Sequence, residues 1–178
     1  MDKISNNDGG GLKMEQNTLQ SRRERYLTFF LGEEQYGIAI DRIKEIIAMM
    51  KVTHVPKTPE YIKGVINLRG SIIPVVDTRL RFGMDQREFD MNTTIVIVEV
   101  EKVNVGFIVD RVEEVAGIDS SNLSEPPRFG NNIDTDFICS MAQMEENVVM
   151  ILDVLKLFEA DELVSLEEIQ KMQTHVGE

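Results

Sequence analysis

Two carboxylates stand where an enzyme could use them. Asp77 closes the run Val75-Val76-Asp77, and Asp153 closes Ile151-Leu152-Asp153. Brought together, such a pair could act as general acid and general base. Each aspartate also precedes a helix-like turn, where a carboxylate satisfies the free N–H groups of the first turn. Capping is therefore the expected role of both. Two histidines, His54 and His175, and one cysteine, Cys139, are too few for a zinc cluster. Cys139 is expected to be a buried, inert thiol, since no base for it is placed by the sequence. Gly9, Gly10 and Gly11 precede no apolar helix and belong to no Gly-x-x-x-x-Gly-Lys-Ser/Thr loop, so no phosphate cradle is expected. No enzyme activity, cofactor or metal is expected.

What remains is charge set among apolar residues, and the elements that carry it. In residues 60–82, two β-branched runs, residues 65–68 and 72–76, flank Arg69-Gly70-Ser71. β-branched residues favour strands, and a glycine at the tip permits the positive φ of a tight hairpin turn. Pro74 cannot donate a ladder hydrogen bond, so its strand should have a free edge or a bulge there. Arg69 sits where the two strands reverse. Composition alone favours a solvated turn arginine.

The chain of 178 residues carries 31 acidic and 19 basic side chains, a net charge of −12. Such a surface repels phosphate backbones, which argues against nucleic acid as a partner. No apolar run is long enough to span a membrane, and no direct insertion is expected. A single cysteine excludes an internal disulfide and suits a reducing cytosol.

In order along the chain, residues 1–22 read as a disordered tail. Residues 26–31 and 36–40 form a hairpin around Gly32, and residues 41–47 shift to helix-like spacing, with Asp41 as N-cap. Residues 93–100 and 103–109 are strand-like, and residues 112–118 extend the apolar pattern. Residues 120–132 are a loop, residues 137–144 and 148–152 a last strand pair, and residues 153–158 and 161–172 helical. The chain also repeats itself. Residues 37–46 echo residues 106–115, and Val75-Val76-Asp77 with Phe82 echoes Ile151-Leu152-Asp153 with Phe158. At the hairpin tip of the second half, Glu145-Glu146 replaces Arg69-Gly70, so the two tips should serve different partners. Many short strands in two matching blocks predict two small closed β units. The expected division is a first barrel over residues 23–88, a second over 89–158, and a C-terminal helix and tail over 159–178.

Residues 62–77, Ile-Lys-Gly-Val-Ile-Asn-Leu-Arg-Gly-Ser-Ile-Ile-Pro-Val-Val-Asp, closely resemble the signature of CheW-type chemotaxis coupling proteins. The same fold serves as the regulatory domain of the CheA histidine kinase and occurs in CheV proteins. The resemblance extends over residues 26–158. It implies a mostly β fold with short helices, two SH3-like five-stranded β-barrels side by side plus a C-terminal helix. It implies a cytoplasmic adaptor, recruited to membrane receptor arrays, that couples chemoreceptor tips to CheA. The alternative is a CheW-like regulatory module of a kinase or CheV-type protein. Carried over by motif, the receptor-facing groove would be lined by Ile40, Ile43, Glu45, Ile46, Val112 and Val115, with Arg69 and Gly70 at its edge. The resemblance also implies that Arg69 faces Glu45, the carboxylate between Ile43 and Ile46. In the same way Phe129 would contact the kinase. Core packing is the competing role for these isoleucines and valines. One departure stands out: the family usually has glycine at Ser140, and serine adopts positive φ less readily.

Overall fold

The computed structural model describes residues 23–127 and 135–172. The expected tail over residues 1–22, Phe129 and His175 lie outside the described residues. Among the described residues eleven strands make two sheets: β1 Arg23–Leu31, β2 Glu34–Ala39, β3 Ile43–Ala48, β4 Ile62–Leu68, β5 Ser71–Asp77, β6 Thr94–Val100, β7 Val103–Val109, β8 Arg111–Asp119, β9 Leu123–Ser124, β10 Ile138–Met144 and β11 Asn147–Leu152. The described residues hold few helices: the single turn α1, Thr78–Arg81, the C-terminal α2, Ala160–Lys171, and three 3-10 turns.

The first sheet has the order β3-β6-β7-β5-β4 and the second β8-β1-β2-β11-β10-β9. This is the expected mostly β fold, two small barrels side by side with a C-terminal helix, the second barrel extended by the two-residue β9. The chain exchanges strands between them, however. β1 and β2 join the second sheet, while β6 and β7 complete the first. Neither sheet therefore follows the expected division at residues 88 and 89. The repeat explains the exchange. Gly106 lies beside Val75 in the parallel β5–β7 ladder, and Gly37 lies beside Ile151 in the parallel β2–β11 ladder. Each glycine block of one half thus pairs with the Val-Val-Asp-type block of the other. A Cβ on Gly106 would come within 2.9 Å of Ile95 Cγ2, and one on Gly37 within 3.0 Å of Ile151 Cδ1. The echoing glycines mark places where neighbouring isoleucine side chains pack closely over the ladder and would have to shift for any larger residue.

Alternation along the exchanged strands builds three cores. Side chains at i and i+2 point to one face. Val96, Val98 and Val100 of β6, with Val103, Val105 and Phe107 of β7, face a large cluster between the sheets, opposite Leu27, Phe29 and Leu31 of β1. Ile95, Ile97 and Ile108 turn into the first barrel, and Tyr26, Ala116 and Ile118 into the second. Both faces of these strands are buried, which is why their sequences read as nearly continuous apolar runs. Helix α2 opens with a capping box between Glu159 and Glu162, and it packs on β5 and β7. Leu166 and Ile169 of its expected stripe are buried, while Met172 is exposed.

Residues 41–47 are not helical. A 3-10 turn, Ile40–Arg42, leads into β3, and Asp41 is an exposed member of that turn rather than its cap. The strand wins because β6 offers it a ladder. A bulge between Ile43 and Glu45 inserts one residue and turns period-two alternation into the spacing i, i+3. At Pro74 the expectation holds, since the β7 ladder begins one residue later at Val75. Cys139 is exposed rather than buried, because it lies at the β10 register shift. Its thiol still donates to Ile151 O at 3.4 Å, and partial burial raises its pKa, so the thiolate is disfavoured.

Candidate functional site

Hairpin β4–β5 reverses at Arg69, φ +52°, and Gly70, φ +90°. Two successive positive φ values match the twist of the flanking strands. Asn67 Oδ1 accepts from the Gly70 N–H at 2.9 Å and holds the tip. From there Arg69 reaches β3, donating from both terminal nitrogens to Glu45 at 3.0 and 2.5 Å. β3 and β4 are the two ends of the sheet order, and Thr53, beyond β3, bridges to Val65 of β4. The ion pair and this bridge together close the barrel. The Arg69 side chain is 69 % exposed and that of Glu45 is 34 %, so the pair is more open than the apolar neighbours suggest. The Arg69 hydrogen bonds hold the Glu45 carboxyl below the usual carboxylate range, and the same bonds raise the Arg69 pKa.

The apolar candidates converge through strand register. Directly opposed residues of an antiparallel pair share a face. Ile43 opposes Val98 and Ile46 opposes Val96, both turned to the space between the sheets. Val112 opposes Phe29 and Val115 opposes Leu27, which face the same space. A bulge in β8 between these pairs gives Val112 and Val115 the same i, i+3 spacing as Ile43 and Ile46. Ile40, Ile43 and Val112 are half-buried against the shared core. Ile46 and Val115, echoing positions of the repeat, are 43 % and 46 % exposed. Glu45 points to the opposite face with Ile47, toward Arg69. Ile43 and Ile46 of β3 and Val112 and Val115 of β8 are thus two short apolar rows, each turned to the inter-sheet space, with the held ion pair on the other face of β3.

Elsewhere the carboxylates are structural. Asp77 accepts from Leu80 N–H at 3.3 Å, and Asp153 from Leu155 N–H at 3.1 Å, which places both as caps. Among the described residues no group of three or more His, Cys, Asp or Glu side chains could hold a metal, and no helix is long and apolar enough to cross a membrane.

A second ionic centre has no simple sequence signal. Asp110, between β7 and β8, accepts from Arg79 Nε at 2.8 Å, Arg79 Nη2 at 2.7 Å, Gly32 N–H at 2.6 Å and Arg87 Nη1 at 3.1 Å. It thereby ties the β1–β2 turn and α1 to the strand crossover. Burial pushes the Asp110 carboxyl up, but the hydrogen bonds from Arg79 and Gly32, with the charges of Arg79 and Arg87, outweigh it and hold it below the usual range. Only the echo of Asp41 in Asp110 pointed to this position, and Asp41 has no such surroundings.

Ser140 resolves the departure from the family pattern. It occupies the β10 bulge that corresponds, in the repeat, to Gly64 in β4. Gly64 needs φ +143°, and a Cβ there would lie 2.0 Å from Thr53 O. Ser140 is not among the residues with positive φ. Glycine is required in one barrel and not in the other.

Two interleaved β-barrels, with half-exposed Ile46 and Val115 turned to the space between the sheets and a held ion pair, make up the site's architecture. Residues 25–162 match the CheW-like domain family. Chemotaxis protein CheW of Klebsiella aerogenes is 31% identical over 148 residues, 83% of this chain and 89% of that protein. Chemotaxis protein CheW of Treponema pallidum is 32% identical over 147 residues, 80% of this chain and 86% of that protein. The crystal structure of the scaffolding protein TtCheW from Thermoanaerobacter tengcongensis superposes with a TM-score of 0.72 at 38% identity, covering 79% of this chain and 95% of that one. The chain belongs to the CheW-like domain family.

Proposed function

We propose that the protein is a non-enzymatic chemotaxis adaptor that couples transmembrane chemoreceptors to the CheA histidine kinase. Its surroundings would be the cytoplasmic face of receptor arrays. The observation that carries the reading is that Ile43 and Ile46 on β3 and Val112 and Val115 on β8 all turn to the inter-sheet space, with the Glu45–Arg69 pair on the other face of β3. Ile46 and Val115 leave apolar area in water that an amphipathic receptor helix can cover. Ile40 and Ile43 anchor the β3 row to the shared core, so the surface is rigid before binding and little ordering cost is added. Glu45 and Arg69 present fixed charges on the other face of β3, with Gly70 at the tip. Contact with the kinase is assigned to Phe129 by resemblance to the family. The adaptor does no chemistry; it holds receptor and kinase in one geometry. Co-sedimentation of the chain with receptor cytoplasmic fragments and CheA tests this. All three should pellet together, and Ile46→Ser with Val115→Ser should release receptor while retaining CheA. Undiminished receptor binding by that variant contradicts the site.

A further inference from the structure

The two barrels present corresponding ends with opposite electrostatics. Because β2 and β11 run parallel, the turns that precede them stand side by side at one end of the second sheet. The equivalent end of the first sheet carries the turns before β7 and β5. In the first barrel that end is self-neutralised: Arg69 holds Glu45, and Lys44 holds Glu99 at 2.6 Å. The repeat aligns Lys44 with Glu113, Arg69 with Glu145 and Lys102 with Glu33. Every one of those cations is thus a glutamate in the second barrel. Glu45 itself corresponds to Glu114, which there has no arginine opposite it. The cations near this end are already engaged: Arg111 pairs with Glu113 at 3.3 Å and lies over the Phe30 ring, Arg79 and Arg87 are held by Asp110 behind the β1–β2 turn, and Arg23 packs beside Gly117.

These carboxylates line a groove of mixed character, in which polar side chains alternate with Phe30, Met144, Met141, Val148 and Met150. Two adjoining clefts of about 370 and 390 Å³ share Phe30, Gln35 and Asn147 as common wall. Met144 lines one, and Met141, Met150 and the half-exposed Val148 line the other. Methionines adapt to varied apolar shapes, and a guanidinium matches a carboxylate in a fixed two-pronged geometry. We propose that this groove docks a basic, amphipathic segment of a partner protein, whose arginines meet Glu33, Glu114 and Glu145 while its apolar side chains cover Met144 and Val148. The first barrel supplies its arginine from its own hairpin; the second takes one from outside. The groove is distinct from the inter-sheet rows, and neither reading depends on the other.

The probe is a fluorescein-labelled ten-residue peptide of alternating leucine and arginine, added to the full chain and read by anisotropy and backbone amide NMR. Saturable binding is expected, with shifts centred on residues 30–35 and 144–148. Combining Glu33→Lys, Glu113→Lys and Glu145→Lys gives this end the charges of the other barrel, and should weaken binding at least tenfold. Met144→Ser with Val148→Ser should weaken it several-fold, and Lys102→Ala should leave it unchanged. Single Glu145→Gln, checked by its melting curve, gives the same direction should the triple variant fail to fold. Equal binding by a peptide with serine for leucine reduces the effect to diffuse charge and overturns the groove. Shifts centred on residues 43–47, or binding indifferent to the glutamate changes, overturn it as well.

Discussion

Substituting Gly64 by alanine should damage the first barrel far more than the same change at Gly70, although both glycines have positive φ. At Gly70, φ +90°, a Cβ meets nothing within 4 Å, so the cost is backbone strain alone, about 1 kcal/mol. At Gly64, φ +143°, the added Cβ would lie 2.0 Å from Thr53 O and 2.6 Å from Thr53 C. Both obstacles are backbone, and neither can rotate away. The segment carrying Thr53 must retreat, which breaks the reciprocal Thr53–Val65 hydrogen bonds at 2.8 Å each. Two such bonds contribute about 2 kcal/mol, and the strained φ adds roughly 1–3 kcal/mol. A loss of about 3–5 kcal/mol follows. For a chain of this size 1 kcal/mol shifts Tm by about 2–4 °C, so Gly64→Ala should lower Tm by roughly 6–20 °C and Gly70→Ala by about 2–4 °C. The assay is thermal denaturation followed by circular dichroism, with urea unfolding as a check. Ser140→Gly, at the corresponding bulge of the second barrel, should cost only about 0.5–1 kcal/mol through chain entropy. Equal shifts for Gly64→Ala and Gly70→Ala would refute the argument, because they would show that the Thr53 contact does not close the barrel.

Four further outcomes follow from the ionic groups and the apolar rows. Asp110→Ala should strand the half-buried Arg79 and destabilise the fold by about 3 kcal/mol, measured by urea unfolding at neutral pH. Because the folded Asp110 carboxyl is held below its unfolded value of about 3.9, its contribution is fully present above that pH and is lost as pH falls through the folded value; Asp110→Asn should flatten this part of the acid-unfolding curve. Glu45→Ala and Arg69→Ala should each weaken receptor co-sedimentation, and the double variant should lose less than the product of the two fold-changes; strictly multiplicative losses would mean the residues act separately. Ile46→Ser and Val115→Ser should each change stability by no more than about 0.5 kcal/mol, since both are surface positions, and still reduce receptor capture.

Much of this architecture can be read from residue order. Val75-Val76-Asp77 and Ile151-Leu152-Asp153 announce both the strands and their caps, and the glycine echoes disclose the duplication. Arg69-Gly70 declares its turn, while the pairing of Glu45 with Arg69 follows from the family resemblance rather than from spacing. The strand exchange was not legible, because pairing of Gly37 with Ile151 spans most of the chain and leaves no local mark. β3 was read as helix because its bulge mimics helical spacing, a local signal that the β6 ladder overrides. The exposure of Glu45 and Arg69 depends on how far an edge strand extends past the core, which periodicity does not encode. Asp110 escaped notice because its arginines come from α1 and the segment after it, brought near only by the crossover.

The coupling role rests most directly on control of the kinase. The decisive measurement is CheA autophosphorylation in membranes bearing chemoreceptors, with and without this chain, and with and without attractant. Receptor control of phosphorylation should appear only when the chain is present, and should be lost with the Ile46→Ser and Val115→Ser variant despite intact folding. Phosphorylation that stays indifferent to receptor state at saturating wild-type chain would contradict the account.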